Sequence, residues 1–171
     1  MFKNICLIGL PYAGKSYLGK KLAFNKRVGF IETDKMIQYK YKDPLKQIIK
    51  LRGVRSFLYM EEKTAMSIHC ENTVISTGGS MVYSIEAIHH FKKNLNCEII
   101  HLHLSLDEFK KRVNNLEERG VVNPYNLNLE GLYNERTRLC ELYSDKSILA
   151  DNKDLALKYL FKLYVEKIYC I

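Results

Sequence analysis

The sequence predicts a single α/β domain in which helices cover both faces of a mainly parallel β-sheet. Three observations support this fold class. Short apolar runs alternate with helical patterns along the chain, as in strand-helix-strand units. The first run, residues 4–10, is almost continuously apolar, which is typical of a strand buried on both faces. A length of 171 residues with 47% hydrophobic content suits one compact core rather than two.

The first half of the chain predicts three strands and the helices between them. The predicted strands are residues 4–10, 28–33 and 73–79. Residues 15–24 alternate apolar and lysine-rich sides, which predicts a helix. Residues 34–68 are helical in pattern but are interrupted at Pro44 and Gly53, so we expect two or three short helices there.

The second half predicts two more strands, at residues 98–104 and 146–151. Helices are expected at 85–95 and 106–113, and a closing helix follows the last strand with apolar residues at Leu155, Leu157, Leu160, Phe161 and Val165. Residues 116–129 are the least periodic part of the chain and contain Gly120, Pro124 and several asparagines, which predicts an exposed, mobile loop. This loop is either a plain connection or a lid that closes on a substrate.

The charge balance favours an anionic partner. The formal net charge is +8 and the isoelectric point is near 9.2. The basic residues are spread over several helical patterns rather than clustered with exposed aromatic residues, so they do not favour nucleic-acid binding. Small polyanions such as nucleotides fit this distribution better.

The cysteines and the apolar runs exclude two other classes. The five cysteines are scattered, odd in number and without CxxC spacing, which argues against a disulfide framework or a zinc site and favours a reducing, cytoplasmic setting. No run approaches the ~18 uninterrupted apolar residues of a membrane span. His101 and His103 share one face of a predicted strand, but no further ligand has a suitable spacing, so we expect structural roles for both.

The strongest motif is the segment GLPYAGKS, from Gly9 to Ser16, with the spacing GxxxxGKS. It follows a predicted strand and opens a predicted helix, which is the context that a phosphate-binding loop requires. In such a loop backbone N–H groups surround the phosphates, Lys15 bridges the outer phosphates, and the Ser16 hydroxyl group binds magnesium. Because NKxD and DxxG elements are missing, the motif favours a small-molecule kinase over a GTPase.

Beyond this loop, the order and spacing of five stretches resemble the shikimate kinase family over nearly the whole chain. They are GLPYAGKSYLGKKLA, FIETD at 30–34, STGGS at 76–80, Arg119 in the loop, and NERTRLCEL at 134–142. The resemblance implies a three-layer P-loop NTPase fold like that of nucleoside monophosphate kinases, with a five-stranded parallel sheet. It also implies one kinase domain over 1–171, with an acceptor-binding segment at about 34–68 and a lid at about 114–129.

The activity that the resemblance implies is transfer of the γ-phosphate of ATP, with Mg²⁺, to a hydroxyl group of shikimate or a related small hydroxy compound. The setting would be aromatic amino acid biosynthesis in the cytoplasm, by a monomer. Catalytic roles fall on Lys15, Asp34 and Arg119, and metal binding on Ser16 and Glu32. The nucleotide-binding residues are Gly9, Ala13, Gly14, Lys15, Ser16, Tyr17 and Arg112. The acceptor-binding residues are Asp34, Gly78, Gly79 and Arg136.

Each of these residues also has a structural interpretation that the sequence leaves open. Asp34 would be the N-cap of a helix that starts at Lys35. The two glycines would form an ordinary tight turn. Arg112 and Arg119 would be solvated surface charges, and Arg136 would pair with Glu130 or Glu141 along a helix.

The resemblance fails mainly at the acceptor side. Where the family has a second carboxylate-binding arginine, within a stretch like GExxFRxxE, this chain has Leu58, and a leucine cannot replace the guanidinium contact. Arg55, one helical turn earlier, is a weak candidate for compensation. The other departures are Val54 for an acidic residue, Glu32 for an aspartate, Ser80 for the third glycine, Arg138 for a proline, and Tyr12 for a small residue.

Three interpretations remain from these retained and lost residues. The chain is a kinase with an altered acceptor, a shikimate kinase with weakened acceptor binding, or a nucleotide-binding protein that is weak or inactive in transfer and has a regulatory role. Lys15, Asp34 and Arg119 are all present, although a protein freed from catalysis does not need them. The sequence therefore favours an active kinase.

Overall fold

The structure, a computed structural model, describes residues 3–113 and 120–165. Its five strands form one parallel sheet in the order β2-β3-β1-β4-β5, which confirms the predicted architecture. The strands are β1 (Ile5–Ile8), β2 (Gly29–Glu32), β3 (Thr73–Ser76), β4 (Glu98–His103) and β5 (Lys146–Leu149). Ile5 in the central strand pairs with Val74 on one side and Glu98 on the other. The strand order therefore reverses at β1, directly before the phosphate-loop motif.

Seven α-helices flank this sheet in the described part of the chain. They are α1 (Lys15–Lys26), α2 (Thr33–Tyr41), α3 (Leu45–Met66), α4 (Ile85–His89), α5 (Leu106–Arg112), α6 (Leu129–Tyr143) and α7 (Lys153–Val165). A short 3-10 helix, Met81–Tyr83, precedes α4, and one π-helical turn, His90–Asn94, continues it. None of the described helices is both long enough and apolar enough to cross a membrane.

The alternation of side chains along β1 explains the three layers. Ile5 and Leu7 lie in an apolar cluster with side chains of α1, α5 and α7, whereas Cys6 and Ile8 lie in a second cluster with side chains of α3, α4 and α6. All four are completely buried. Successive residues of a strand point to opposite faces of its sheet, so a fully apolar strand is covered by helices on both sides.

The predicted acceptor-binding segment forms α2 and α3. Pro44 directly precedes α3, and the helix is kinked at Gly53, whose φ of 78° is favourable only for glycine. Both predicted interruptions are therefore present. A small third cluster, in which Ile37 of α2 and Phe57 of α3 contact Val122, closes this segment against the chain that leads into α6.

Three local expectations were wrong. Helix α2 begins at Thr33 rather than Lys35, so Asp34 lies in the first turn and is not the N-cap. The helix expected over 85–95 changes to a π-helical turn at His90. Within the loop expected to be exposed, Val122 is only 2% exposed because it packs in the third cluster. Arg119 and the rest of 114–119 lie outside the described residues.

The two histidines of β4 pack against each other. His101 is completely buried, its ring centroid lies 5.4 Å from that of His103, and its Nε2 atom has no hydrogen-bond partner among the described residues. Burial, with smaller contributions from the nearby His103 and Lys15 charges, lowers the pKa of His101 to about 4. The described part of the chain contains no group of three or more metal-ligating side chains.

We expect His101 to weaken the fold in acid. Its pKa of about 4 in the folded state lies below the usual histidine value of 6.5, so the unfolded chain takes up a proton first as the pH falls. The free energy of unfolding should therefore decrease by about 2 kcal/mol from this residue between pH 7.5 and pH 5. Denaturant titrations of the wild type and of His101→Gln at both pH values measure the difference. The exposed His69→Gln is the matched control, and an equal acid loss in the wild type and His101→Gln would contradict the prediction.

Candidate active site

A cavity of about 710 Å³, the main cavity, opens at the carboxyl ends of β1, β2 and β3. Ligands of open parallel sheets bind at this edge, where the strand order reverses. Nine of the residues that the sequence singles out line it: Gly14, Lys15, Ser16, Tyr17, Glu32, Asp34, Gly79, Arg112 and Arg136. Gly9, Ala13 and Gly78 belong to the loops that form its wall. The remaining predicted residue, Arg119, is not among the described residues.

The phosphate-loop motif has the backbone that its glycines allow. Gly9 and Gly14 have φ values of 148° and 87°, and a β-carbon at Gly9 would lie 2.6 Å from the carbonyl oxygen of Leu102. Tyr12 also has a positive φ, 66°, which is uncommon for a residue with a side chain. Helix α1 begins at Lys15, so its unpaired N–H groups lie beside the loop and favour an anion there.

Lys15 is held inside this loop. Its side chain is largely buried, and its Nζ donates hydrogen bonds of 2.8 Å to the carbonyl oxygens of Gly9 and Leu10. A buried ammonium group is stable only with such partners. The cation is therefore kept next to the backbone that would surround a phosphate.

Two oxygen-bearing side chains meet beside the loop. The Ser16 hydroxyl group donates a hydrogen bond of 2.5 Å to Glu32 Oε1, and Ser76 Oγ lies 3.5 Å from Ser16 Oγ. Hydroxyl and carboxylate oxygens are the donors that Mg²⁺ prefers, and this ion usually takes only one or two protein ligands together with water and substrate phosphates. The donor set therefore fits magnesium.

On the other side of the cavity, two carboxyl groups face the same glycine. A β-carbon at Gly78 would overlap Glu61 Oε1 and lie 2.6 Å from Asp34 Oδ1. Since both oxygens are within 2.6 Å of one point, they are no more than about 5 Å apart. The backbone N–H of Gly78 donates to the hydroxyl group of Thr33, which fixes the turn against the start of α2.

Glu61 is a buried carboxyl group with a strongly raised pKa. Only 2% of it is exposed, and its Oε2 atom has no hydrogen-bond partner among the described residues. The pKa of Glu61 is raised to about 8, mainly by burial and also by the negative charge of Asp34, against the opposing effects of a Ser80 hydrogen bond and of the Arg136 and Lys15 charges. Two carboxyl groups at this separation do not both ionise readily, so Glu61 keeps its proton at neutral pH.

Arg136 is a buried cation at the acceptor side. It is 1% exposed, donates through Nη2 to the carbonyl oxygen of Val122, and donates through Nε to the Tyr83 hydroxyl group at 3.3 Å. Its Nη1 faces Gly79, where a β-carbon would lie 3.1 Å away. Glu130 instead pairs with Lys110, so the surface ion pair expected along α6 is not formed with that residue.

Arg112 and its neighbours form the nucleotide side of the cavity. Arg112 donates hydrogen bonds to the carbonyl oxygens of Tyr12, at 3.2 Å, and Asp151, at 2.6 Å, so it is not the solvated charge that was the alternative. It ties the phosphate loop to the segment between β5 and α7. Lys153, the first residue of α7, extends over the ring of Tyr17, with Nζ 5.7 Å from the ring centroid.

The structure shows where Leu58, which replaces the family arginine, and the nearby Arg55 lie. Leu58 is half-buried and packs against the third cluster, so the position of the family arginine contributes only apolar contact. Arg55 is exposed and lines a separate depression with Tyr41, Arg52 and Tyr59, outside the main cavity. Arg55 therefore does not compensate for the missing guanidinium group in this conformation.

Sequence reasoning missed three contributors to the site. Glu61 was visible as the last residue of the family stretch, but nothing in the sequence indicated that its carboxyl group is buried beside Asp34. Tyr83 and Val122 hold the Arg136 guanidinium group through a hydroxyl and a backbone carbonyl. Such contacts depend on the tertiary fold and leave no motif.

The chain is similar in sequence to known proteins. A family model described as shikimate kinase matches residues 11–168. The chain is 31% identical over 152 residues to a shikimate kinase of Sulfurihydrogenibium sp., covering 88% of this chain and 90% of that one. It is 32% identical over 143 residues to a shikimate kinase of Clostridium botulinum, covering 81% and 83%.

Solved structures are similar in fold. A shikimate kinase from Aquifex aeolicus superposes with a TM-score of 0.82 at 23% identity, covering 98% of each chain. A shikimate kinase from Acinetobacter baumannii in complex with shikimate gives a TM-score of 0.75 at 22% identity, covering 98% of this chain and 96% of that one.

Proposed function

Because the chain belongs to the shikimate kinase family, and is therefore an ATP-dependent phosphotransferase with an alcohol group as acceptor, we propose that the main cavity carries out this transfer. The acceptor is shikimate or a related small hydroxy acid. The observation that carries the proposal is that one cavity joins a phosphate loop with a buried lysine to a carboxylate and a buried arginine. The loop binds ATP, and the carboxylate and arginine bind the alcohol.

At the nucleotide side, the proposed roles follow from charge. The loop N–H groups and the start of α1 surround the phosphates, and Lys15 exchanges its carbonyl partners for phosphate oxygens. Arg119 would neutralise charge on the transferred group from the lid, where a planar cation suits phosphate oxygens. Arg112 positions the loop, and Tyr17 and Lys153 line the same side of the cavity.

Magnesium binding is part of the proposal. Ser16 and Glu32 would hold Mg²⁺, directly or through water, and when bound the ion neutralises phosphate charge. Their hydroxyl and carboxylate oxygens lie 2.5 Å apart, which supports this assignment. Before the ion binds, the Ser16 proton satisfies the Glu32 oxygen.

At the acceptor side, Asp34 orients the attacking hydroxyl group and accepts its proton, while Arg136 binds the carboxylate of the acceptor. Both side chains line the main cavity, and Gly78 and Gly79 leave space beside them. Leu58 removes one of the two guanidinium contacts that the family pattern implies. We therefore propose weaker binding of the carboxylate or a preference for another hydroxy acid.

We expect Gly78→Ala to damage acceptor binding selectively. Its methyl group would displace the Asp34 and Glu61 carboxyl groups, so kcat/KM for the acceptor should fall by about 100-fold while KM for ATP changes less than about twofold. Gly79→Ala should be milder, since its nearest contacts are at 3.1 Å. Steady-state kinetics with each substrate varied in turn measure the loss of kcat/KM in each variant. Equal losses in Gly78→Ala and Gly79→Ala would contradict the prediction.

The proposed function is tested by magnesium-dependent ADP formation from ATP. Shikimate is added first, followed by a panel of polyols and hydroxy acids, with calorimetric titration of ATP as the binding control. Stimulation by shikimate supports shikimate as the acceptor, and stimulation only by another alcohol supports an altered acceptor. Bound ATP with no stimulation across the panel would refute phosphoryl transfer and favour a nucleotide-binding role.

We further propose that the chain acts as a single catalytic domain over 1–171, as a monomer in the cytoplasm. The acceptor-binding segment is about 34–68 and the lid about 114–129. Free thiols at Cys6, Cys70, Cys97 and Cys140 support a reducing compartment. Sedimentation of the purified chain tests the monomer, and fractionation of the producing cells tests the location.

A further inference from the structure

The loss of the family arginine changes the surroundings of one buried acid. Leu58 and Glu61 are three residues apart on α3, so they lie on the same side of the helix. An arginine at 58 would place a guanidinium group within reach of Glu61, but a leucine offers no charge and no donor. Leu58 packs instead on the apolar third cluster.

The surroundings of Glu61 disfavour its ionised form. It lines the main cavity and is 2% exposed, and its Oε2 atom has no hydrogen-bond partner among the described residues. A buried carboxylate with one oxygen atom left unpaired is disfavoured. A protonated carboxyl group avoids this penalty and has one O–H to donate.

The groups that face Glu61 come from four elements. Asp34 of α2 lies across Gly78, Arg136 extends from α6, Lys15 begins α1, and Ser80 precedes the 3-10 helix. Ser80 stands where the family has its third glycine, and its hydroxyl group hydrogen-bonds the Glu61 carboxyl group. Glu61 thus lies beside Asp34, and it is near enough to Arg136 for the two charges to interact.

We propose that Glu61 is a specificity-determining residue that replaces the missing guanidinium contact by donating a hydrogen bond from its neutral carboxyl group to the carboxylate of the acceptor. The inference rests on the proposed function, because it requires a hydroxy acid bound between Asp34 and Arg136. A carboxylic acid that donates to a carboxylate forms a charge-assisted hydrogen bond, which is stronger than one between neutral groups. The acceptor carboxylate then contacts one cation and one neutral acid rather than two cations.

A pH dependence follows from this arrangement. Burial raises the pKa of Glu61 to about 8, so the group is neutral below that pH and becomes an anion above it. An ionised Glu61 repels an acceptor carboxylate and has no proton to donate. Between pH 7 and pH 9, kcat/KM for a hydroxy acid should therefore fall by about tenfold through KM, with kcat nearly constant.

The experiment compares variants and ligands over this pH range. ADP formation is measured from pH 6.5 to 9.5 with shikimate and with its uncharged methyl ester, using the wild type and Glu61→Gln. Glutamine has the same shape and a donor that does not titrate, so Glu61→Gln should retain most of the wild-type kcat/KM at pH 7 and lose the decrease at high pH. The ester should show little of this decrease with either protein.

A matched control is available on the same helix. Glu62 is the next residue, and its carboxylate accepts a hydrogen bond of 2.9 Å from Ser84 outside the cavity. Glu62→Gln makes the same chemical change and should keep the wild-type pH profile. Glu61→Leu, which removes the donor, should raise KM for shikimate by about tenfold at pH 7.

The outcomes separate the two proposals. A wild-type profile that is flat for shikimate, or a Glu61→Gln profile that still falls above pH 8, overturns the role of Glu61 while leaving the kinase activity in place. If no hydroxy acid supports turnover, calorimetric titration of shikimate at pH 7 and pH 9 into the ADP-bound protein takes the place of KM. Absence of any binding in that titration would refute both the hydroxy-acid acceptor and the role of Glu61.

Discussion

Lys15→Ala should reduce ADP formation by at least about a thousandfold. The ammonium group is the buried cation of the phosphate loop, where it is held by the carbonyl oxygens of Gly9 and Leu10. Charge that develops on the transferred phosphoryl group is stabilised by cations already positioned in a site shielded from water, and removal of such a group typically costs several kcal/mol in the barrier. Steady-state kinetics with saturating acceptor measure the loss.

Two controls separate chemistry from folding. Lys21→Ala removes an exposed lysine of the same helix and should retain full activity. Thermal unfolding of Lys15→Ala should show a folded protein, since the hydrogen bonds that its Nζ donates go to carbonyl oxygens of its own loop. Undiminished turnover in this variant would remove the basis for the phosphate-loop assignment.

Asp34→Asn should lower kcat by about a thousandfold while KM for ATP stays within about twofold. The substitution keeps the shape of the side chain beside Gly78 but removes the negative charge that orients the attacking hydroxyl group and accepts its proton. In the proposed function ATP binds at the phosphate loop, on the other side of the main cavity, so we expect its affinity to depend little on this charge. Product formation and calorimetric ATP binding are measured on the same preparation.

The matched control is Asp43→Asn, at the junction of α2 and α3 and outside the lining of the main cavity. It should be indistinguishable from the wild type. Asp34→Asn should also lower the pH at which shikimate binding weakens, because the Asp34 charge helps to raise the pKa of Glu61. An equal loss of ATP affinity and turnover would place Asp34 at the nucleotide side instead.

Much of the fold could be predicted from local patterns. The four buried residues of β1 and the apolar spacing of α1 and α7 are repeated signals that tertiary contacts reinforce. Boundaries were less accurate, since α2 starts at Thr33 although the β-like residues FIET suggest a longer strand. The π-helical turn at 90–94 involves hydrogen bonds that differ by one residue from those of an α-helix and leaves no periodic signal.

The candidate site, too, could be predicted only in part from the sequence. The phosphate-loop motif is contiguous in sequence, and its glycines allow the backbone that the structure has, so the shape of this loop could be predicted. The acceptor side is assembled from distant segments, and the state of Glu61 depends on burial, on Asp34 and on Arg136 together. A replacement such as Leu58 is visible in the sequence, but its effect on a neighbouring acid is visible only in three dimensions.

Two buried cations of the main cavity donate hydrogen bonds to backbone carbonyl oxygens. Lys15 is held by the carbonyl oxygens of Gly9 and Leu10, and Arg136 by that of Val122. In the proposed function each substrate therefore binds by exchange, and its affinity reflects the difference between the new contact and the one that it displaces. When product departs, the same carbonyl oxygens return to the cations, so the protein itself competes with a retained anion and favours its release.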